Sequence, residues 1–144
     1  KRTRRKSNRM TDGIVMAEGV LLAVNGTLMR GLELNGNMLN AGARFVREAR
    51  TSAQYRLFSI GDVHPAMLRV SAGGAAIELE LWAVPPPALA GILLSEPAGL
   101  SIGKIVLSDG TEVLGVLGEP WLCDGRPEIT RHGGWRNYMA AKGS

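Results

Sequence analysis

The segment Ala75-Ala-Ile-Glu-Leu-Glu-Leu-Trp82 alternates apolar and polar side chains with a period of two. That spacing specifies a strand, because successive side chains of an extended chain point to opposite faces. Ile77, Leu79 and Leu81 share one face, and Glu78, Glu80 and Trp82 share the other. The two carboxylates therefore project from one side. If that side looks into a cavity, one of them is a candidate acid or base, its pKa raised by burial and by its neighbour. If it faces water, both are solvated charges. The alternation leaves both possibilities open.

Other strand signals surround this one. Gly19 to Asn25 is a short apolar run bounded by turn residues and reads as a buried strand. Arg44 to Ser52 alternates, Gln54 to Ile60 is rich in Tyr, Leu, Phe and Ile, and Met67 to Ser71 is a further strand after the Gly61-to-Pro65 turn. Lys104 to Leu107 and Glu112 to Leu117 form a hairpin across Ser108-Asp-Gly-Thr111. Helical signals are few and short. Asn35 to Ala43 reads as a helix capped by Asn35 or Asn37. Pro85-Pro-Pro87 opens a second, running to about Ser95, and Gly133 to Ala141 a third. About six strands cluster without alternating with helices, which points to α+β with a largely antiparallel or mixed sheet.

The 144 residues suit one domain, placed at residues 13–142, and the 45% hydrophobic content suits a packed core. No apolar run reaches the roughly 20 residues that span a bilayer. The net charge of +4 comes from the first residues: six of the 17 basic side chains lie within residues 1–9, and the remainder carries 11 basic against 13 acidic, or −2. Residues 1–12 read as a basic, extended or disordered tail, with Met10-Thr-Asp as a natural start and residues 1–9 as an upstream extension. The body has no basic stripe or aromatic RNA-binding motif, which argues against a nucleic-acid partner. A single cysteine, Cys123, excludes a disulfide within the chain, makes a cytoplasmic location the default and reads as a small apolar filler. The Cys and His residues show no metal-ligand spacing, so neither a metal nor another cofactor is implied.

The chemistry-bearing candidates are dispersed. Gly26-Thr-Leu-Met-Arg-Gly31 joins a buried strand to a helix, and such a loop can present backbone N–H groups to an anion. Gly26, Thr27, Leu28 and Met29 are the substrate-binding candidates there. Glu96 precedes Pro97 at a helix end and reads either as a surface residue or as a side chain pointing into a site. Near the C-terminus, His132-Gly-Gly-Trp-Arg-Asn-Tyr138 pairs a flexible turn with Trp135 and Tyr138 three residues apart, which suits packing against the sheet. Arg136 points elsewhere on that helix and is a candidate anion ligand. Glu80, Glu96 and His132 are the candidate catalytic groups. The sequence shows no Ser-His-Asp grouping.

Several segments occur together in a recognisable order. They are Gly26 to Asn35, Asn40-Ala-Gly-Ala-Arg-Phe-Val-Arg-Glu-Ala-Arg-Thr-Ser52, Gly73-Gly-Ala-Ala-Ile-Glu-Leu-Glu-Leu-Trp82 and Ile129-Thr-Arg-His-Gly-Gly-Trp-Arg-Asn-Tyr138. In this order the chain resembles the C-terminal domain of allophanate hydrolase over about residues 18–140. The resemblance implies a gamma-glutamyl cyclotransferase-like fold, a small mixed β-barrel with short helices. It implies a tie to urea and allophanate catabolism, where this domain follows an amidase and is associated with decarboxylating N-carboxycarbamate, and in some members with assembly. The expected partners are thus a small carboxylated substrate and either an amidase or further copies of the chain. A non-catalytic assembly or regulatory role is the alternative, and gamma-glutamyl cyclotransfer the most remote. Asn25-Gly26-Thr27 stands where cyclotransferases carry Tyr-Gly-Ser. Gly26-Thr27-Leu28 stands where the allophanate hydrolase domain often carries Gly-Ala-His.

Overall fold

A computed structural model describes residues 15–16 and 19–143. The basic tail expected at residues 1–12 lies outside them. The apolar run after Gly19 forms β2 (Gly19–Val24), with β1 (Val15–Met16) alongside it. Then follow α1 (Asn35–Asn40), β3 (Arg44–Arg50), β4 (Tyr55–Ile60), β5 (His64–Arg69) and β6 (Glu78–Val84). The second half contains α2 (Leu89–Ser95), β7 (Leu100–Val106), β8 (Glu112–Gly118), α3 (Pro120–Cys123) and α4 (Trp135–Gly143). No helix among the described residues is long and apolar enough to cross a membrane.

Five strands lie in the order β3-β6-β2-β8-β7, and β4 and β5 form a separate hairpin. Among the described residues only β2 and β8 run parallel, so the sheet is mixed as expected. β2 is central because every residue from Leu21 to Val24 is apolar and buried, as a strand covered on both faces requires. The largest core side chains come from several elements: Leu22, Tyr55, Leu57, Met67, Leu81, Trp82 and Ile105. Each large apolar side chain so buried contributes about 1.5–3 kcal/mol before entropic costs.

The α+β class stands, but the sheet does not close into a barrel. Its edge strands, β3 and β7, meet at one corner through the Thr51–Leu107 bridge. Beside that bridge the β4–β5 hairpin packs a side chain against β7. The Tyr55 hydroxyl accepts the Val106 N–H at 2.9 Å, taking a donor on the β7 edge that a neighbouring strand would otherwise use.

Three local readings also shift. β6 begins at Glu78 rather than Ala75, because the preceding residues bond to scattered partners. Ala75 exchanges hydrogen bonds with Tyr55, and the Ile77 N–H donates to the Thr51 hydroxyl. Asn35 does not cap α1; its side-chain N–H donates to the Leu28 carbonyl at 2.8 Å. The stretch after Gly118, for which the sequence pattern predicts no helix, contains α3, started by Pro120 at its first turn.

Candidate functional site

The first loop leaves β2 through Asn25, which is buried and donates from its side chain to the Val116 carbonyl at 3.0 Å. The next three carbonyls are all engaged inside the loop. Gly26 accepts from the Met29 N–H, Thr27 from the Leu34 N–H, and Leu28 from Asn35. The N–H groups of Gly26, Thr27 and Leu28 meet no acceptor among the described residues. Three successive donors without a partner are a set of the kind that can hold an anion. Glycine is required at position 26 by close approach: a Cβ there would lie 2.6 Å from Pro65 Cδ.

Glu96 shares this recess with Gly26, Thr27 and Leu28, walled by Pro65 and Leu100. The proline that follows holds Glu96 extended (ψ 153°), which ends α2 and turns the chain back toward β2. Its Oε2 is shielded from water and has no partner among the described residues. Burial pushes the carboxyl up to about 7 from its usual 4.5. Glu96 is thus a proton donor and acceptor poised near neutrality, beside a set of N–H donors. The space left between them is about 10 Å³, room for roughly one water.

A second, larger cavity of about 460 Å³ lies on the other side of the first loop. Met29, Leu79 and Trp135 form its apolar lining, and Glu48, Arg50 and Glu78 its charged rim. Glu80 and Arg136 also line it, with their charges spent on each other and on Arg30. Glu80 is only 2% exposed. Its Oε1 accepts the Arg30 main-chain N–H at 2.9 Å and the Trp82 indole N–H at 3.1 Å; its Oε2 accepts from the Arg30 and Arg136 guanidiniums, each at 3.1 Å. Burial alone would push this carboxyl up. The donors from Arg30, Trp82 and Arg136 outweigh it and hold the pKa below the usual value. Glu78 is paired with Arg50 at 3.1 Å and bonded by Asn137.

The candidate residues thus fall into two groups. Glu96 comes together with Gly26, Thr27 and Leu28; Met29, Glu80 and Arg136 line the larger cavity. His132 lines neither, and its ring packs edge-on against Tyr138 at 5.2 Å. Gly133, at φ +81°, turns the chain into α4, and Trp135 is buried, as the packing reading of that segment expected. Arg30 and Asn25 carry no sequence signal of their own, yet they anchor the two ends of the loop. Among the described residues no group of His, Cys, Asp and Glu is placed to hold a metal ion.

The family described as allophanate hydrolase C-terminal domain matches residues 20–140. The chain is 31% identical over 127 residues to the urea amidolyase of Saccharomyces cerevisiae, covering 83% of this chain but 7% of that protein. Among solved structures, a uropathogenic E. coli-specific protein is 62% identical with a TM-score of 0.82, covering 83% of this chain and 94% of that one. The allophanate hydrolase of Kluyveromyces lactis is 30% identical with a TM-score of 0.81, covering 86% of this chain and 21% of that one. The gamma-glutamyl cyclotransferase-like fold is shared with these neighbours.

Proposed function

The chain belongs to the allophanate hydrolase C-terminal domain family, and from that premise we propose that its Glu96 recess binds a small carboxylated carbamate of the N-carboxycarbamate kind and promotes its decarboxylation. The observation that carries the reading is the juxtaposition of Glu96, whose Oε2 is shielded and unpartnered, with the three unpaired N–H groups of Gly26, Thr27 and Leu28. Loss of carbon dioxide from such a substrate breaks a C–N bond and leaves the electron pair on nitrogen. Glu96 donates its proton to that nitrogen, carbamate departs, and the Glu96 carboxylate regains a proton from water. The loop N–H groups hold the carboxylate that is retained. The recess admits about one water as folded, so substrate entry requires the first loop or the Glu96–Gly99 turn to move aside.

This reaction consumes the product of an amidase acting on allophanate, which puts the chain in urea and allophanate breakdown beside such an enzyme. The test mixes an allophanate-hydrolysing amidase domain with this chain and follows carbon dioxide release. The chain is expected to accelerate release about a hundredfold over the amidase alone, with no change in allophanate loss, and Glu96→Gln to remove the acceleration. Equal release with and without the chain sinks the reading. A second reading, a non-catalytic partner that docks on the amidase, draws on two exposed apolar side chains, Leu94 at 85% and Trp121 at 59%. It predicts co-elution with the amidase and unchanged carbon dioxide release.

A further inference from the structure

Arg30 closes the first loop, and it is held by five contacts. Its N–H donates to Glu80 Oε1 at 2.9 Å, and its carbonyl accepts from the Arg136 guanidinium at 2.6 Å. Its own guanidinium reaches Glu80 Oε2 and Glu48, and lies 3.7 Å over the Phe45 ring. The clamp thus joins a loop, a central strand and the C-terminal helix through one carboxylate. A carboxylate with four N–H donors has no lone pair left for proton transfer, but it fixes every group that donates to it. The unpaired N–H groups of Gly26 to Leu28 lie just upstream on the same short loop.

We propose that Glu80 and Arg136 are positioning residues. They latch Arg30 and thereby hold the Gly26–Leu28 N–H groups toward the recess, which makes α4 a working part of the Glu96 site. This rests on the decarboxylation reading for its ligand but not for its geometry. Arg136 is half exposed on α4, so Arg136→Gln releases one arm of the latch while Glu80 stays paired with Arg30.

The experiment uses the full chain, isotopically labelled, as wild type, Glu80→Gln, Arg136→Gln and Arg136→Lys. Hydrogen exchange is read at Met29 and Leu34, whose N–H groups make the internal loop bonds. Malonate, which replaces the N–H of N-carboxycarbamate with CH2, is titrated as a stable probe. In both Gln variants exchange at Met29 and Leu34 is expected to rise at least tenfold while β2 and β6 stay protected, and malonate Kd to rise about tenfold. Arg136→Lys recovers part of both. If Glu80→Gln fails to fold, Arg136→Gln decides alone. Unchanged loop exchange overturns the latch, as does faster exchange spread evenly through the sheet, or a loosened loop that binds malonate as tightly as before. A wild type that ignores malonate counts against the decarboxylation reading, and the exchange data still decide the latch.

Discussion

Glu80, in the strand β6, is buried, and Glu96, just past α2, is half-buried with its Oε2 sealed from water; their surroundings differ in one respect. Glu80 meets four N–H donors, whereas Glu96 Oε2 meets none among the described residues. Burial raises the pKa of both, but only in Glu80 do hydrogen bonds to the charged form reverse the effect. A carboxylate whose lone pairs are filled stabilises the fold and resists proton exchange. One left with an unpartnered, shielded oxygen destabilises the fold when charged and exchanges protons near neutrality. The contrast separates the residue that builds the site from the residue that works in it.

The strongest way to break this comparison is to remove the filled carboxylate. Glu80→Ala strands the Arg30 and Trp82 N–H groups and leaves two guanidiniums without their shared partner. Breaking a buried pair in this way costs about 4 kcal/mol. Urea unfolding at pH 7 measures it. A loss below about 1 kcal/mol would mean that the four donors find water as readily as they find Glu80.

The opposite sign is expected at Glu96. In the unfolded chain its carboxyl titrates near 4.5, and in the folded protein near 7. Between those values the folded state holds the proton and the unfolded state has lost it, so stability falls as pH rises through that window. Above pH 7 the penalty levels off at up to about 3 kcal/mol. Glu96→Gln removes it: the variant should match the wild type near pH 4 and exceed it at pH 8. Parallel stability profiles for the two proteins would show that Glu96 is solvated or paired in solution.

Sequence patterning made the first of these carboxylates visible and hid its surroundings. A period of two places Glu78, Glu80 and Trp82 on one face, but carries no information about what covers that face. The cover is the first loop and α4, which lie far from β6 in the chain and arrive through tertiary packing. The same reasoning explains why Glu78, two residues earlier, stays half exposed and pairs with Arg50, while Glu80 is sealed. Glu96 was harder. A glutamate before proline at the end of a helix carries the local signature of a surface residue, and its recess is made by β2, β5 and β8. Its place before Pro97 left it open between a surface residue and a side chain pointing into a site. The loop was legible as a strand-to-helix turn able to present N–H groups, because that follows from local chemistry. How the loop's carbonyls are engaged depended in part on Asn35, whose side chain turns inward to the Leu28 carbonyl instead of capping α1. The open edge of the sheet was illegible for a similar reason, since the Tyr55 hydroxyl that takes the Val106 N–H comes from a hairpin outside the sheet.

A third carboxylate sharpens the comparison at its mildest. Asp62, at the tip of the β4–β5 hairpin, accepts from Ser59 at 2.6 Å and from Tyr138 at 2.7 Å, and pairs with Lys142 at 3.0 Å. Those partners, Ser59 foremost, lower its carboxyl from 3.8 to about 2. Like Glu80 it is filled with donors; unlike Glu80 it is exposed, so water competes for every bond and salt screens the ion pair. Its contribution is therefore the smallest of the three. The sign follows from the lowered folded-state pKa: the stabilisation is complete above about 4 and is lost as pH falls through about 2. Asp62→Asn tests this cleanly, because the residue sits at φ +60° and asparagine tolerates that conformation as well as aspartate does. The variant should be slightly less stable than the wild type at pH 6, by a margin that shrinks in high salt, and the two should converge near pH 2. A gap that persists at pH 2 and in high salt would assign the effect to hydrogen-bond geometry. In that case filling a carboxylate with donors would matter at the surface for the same reason as in the core.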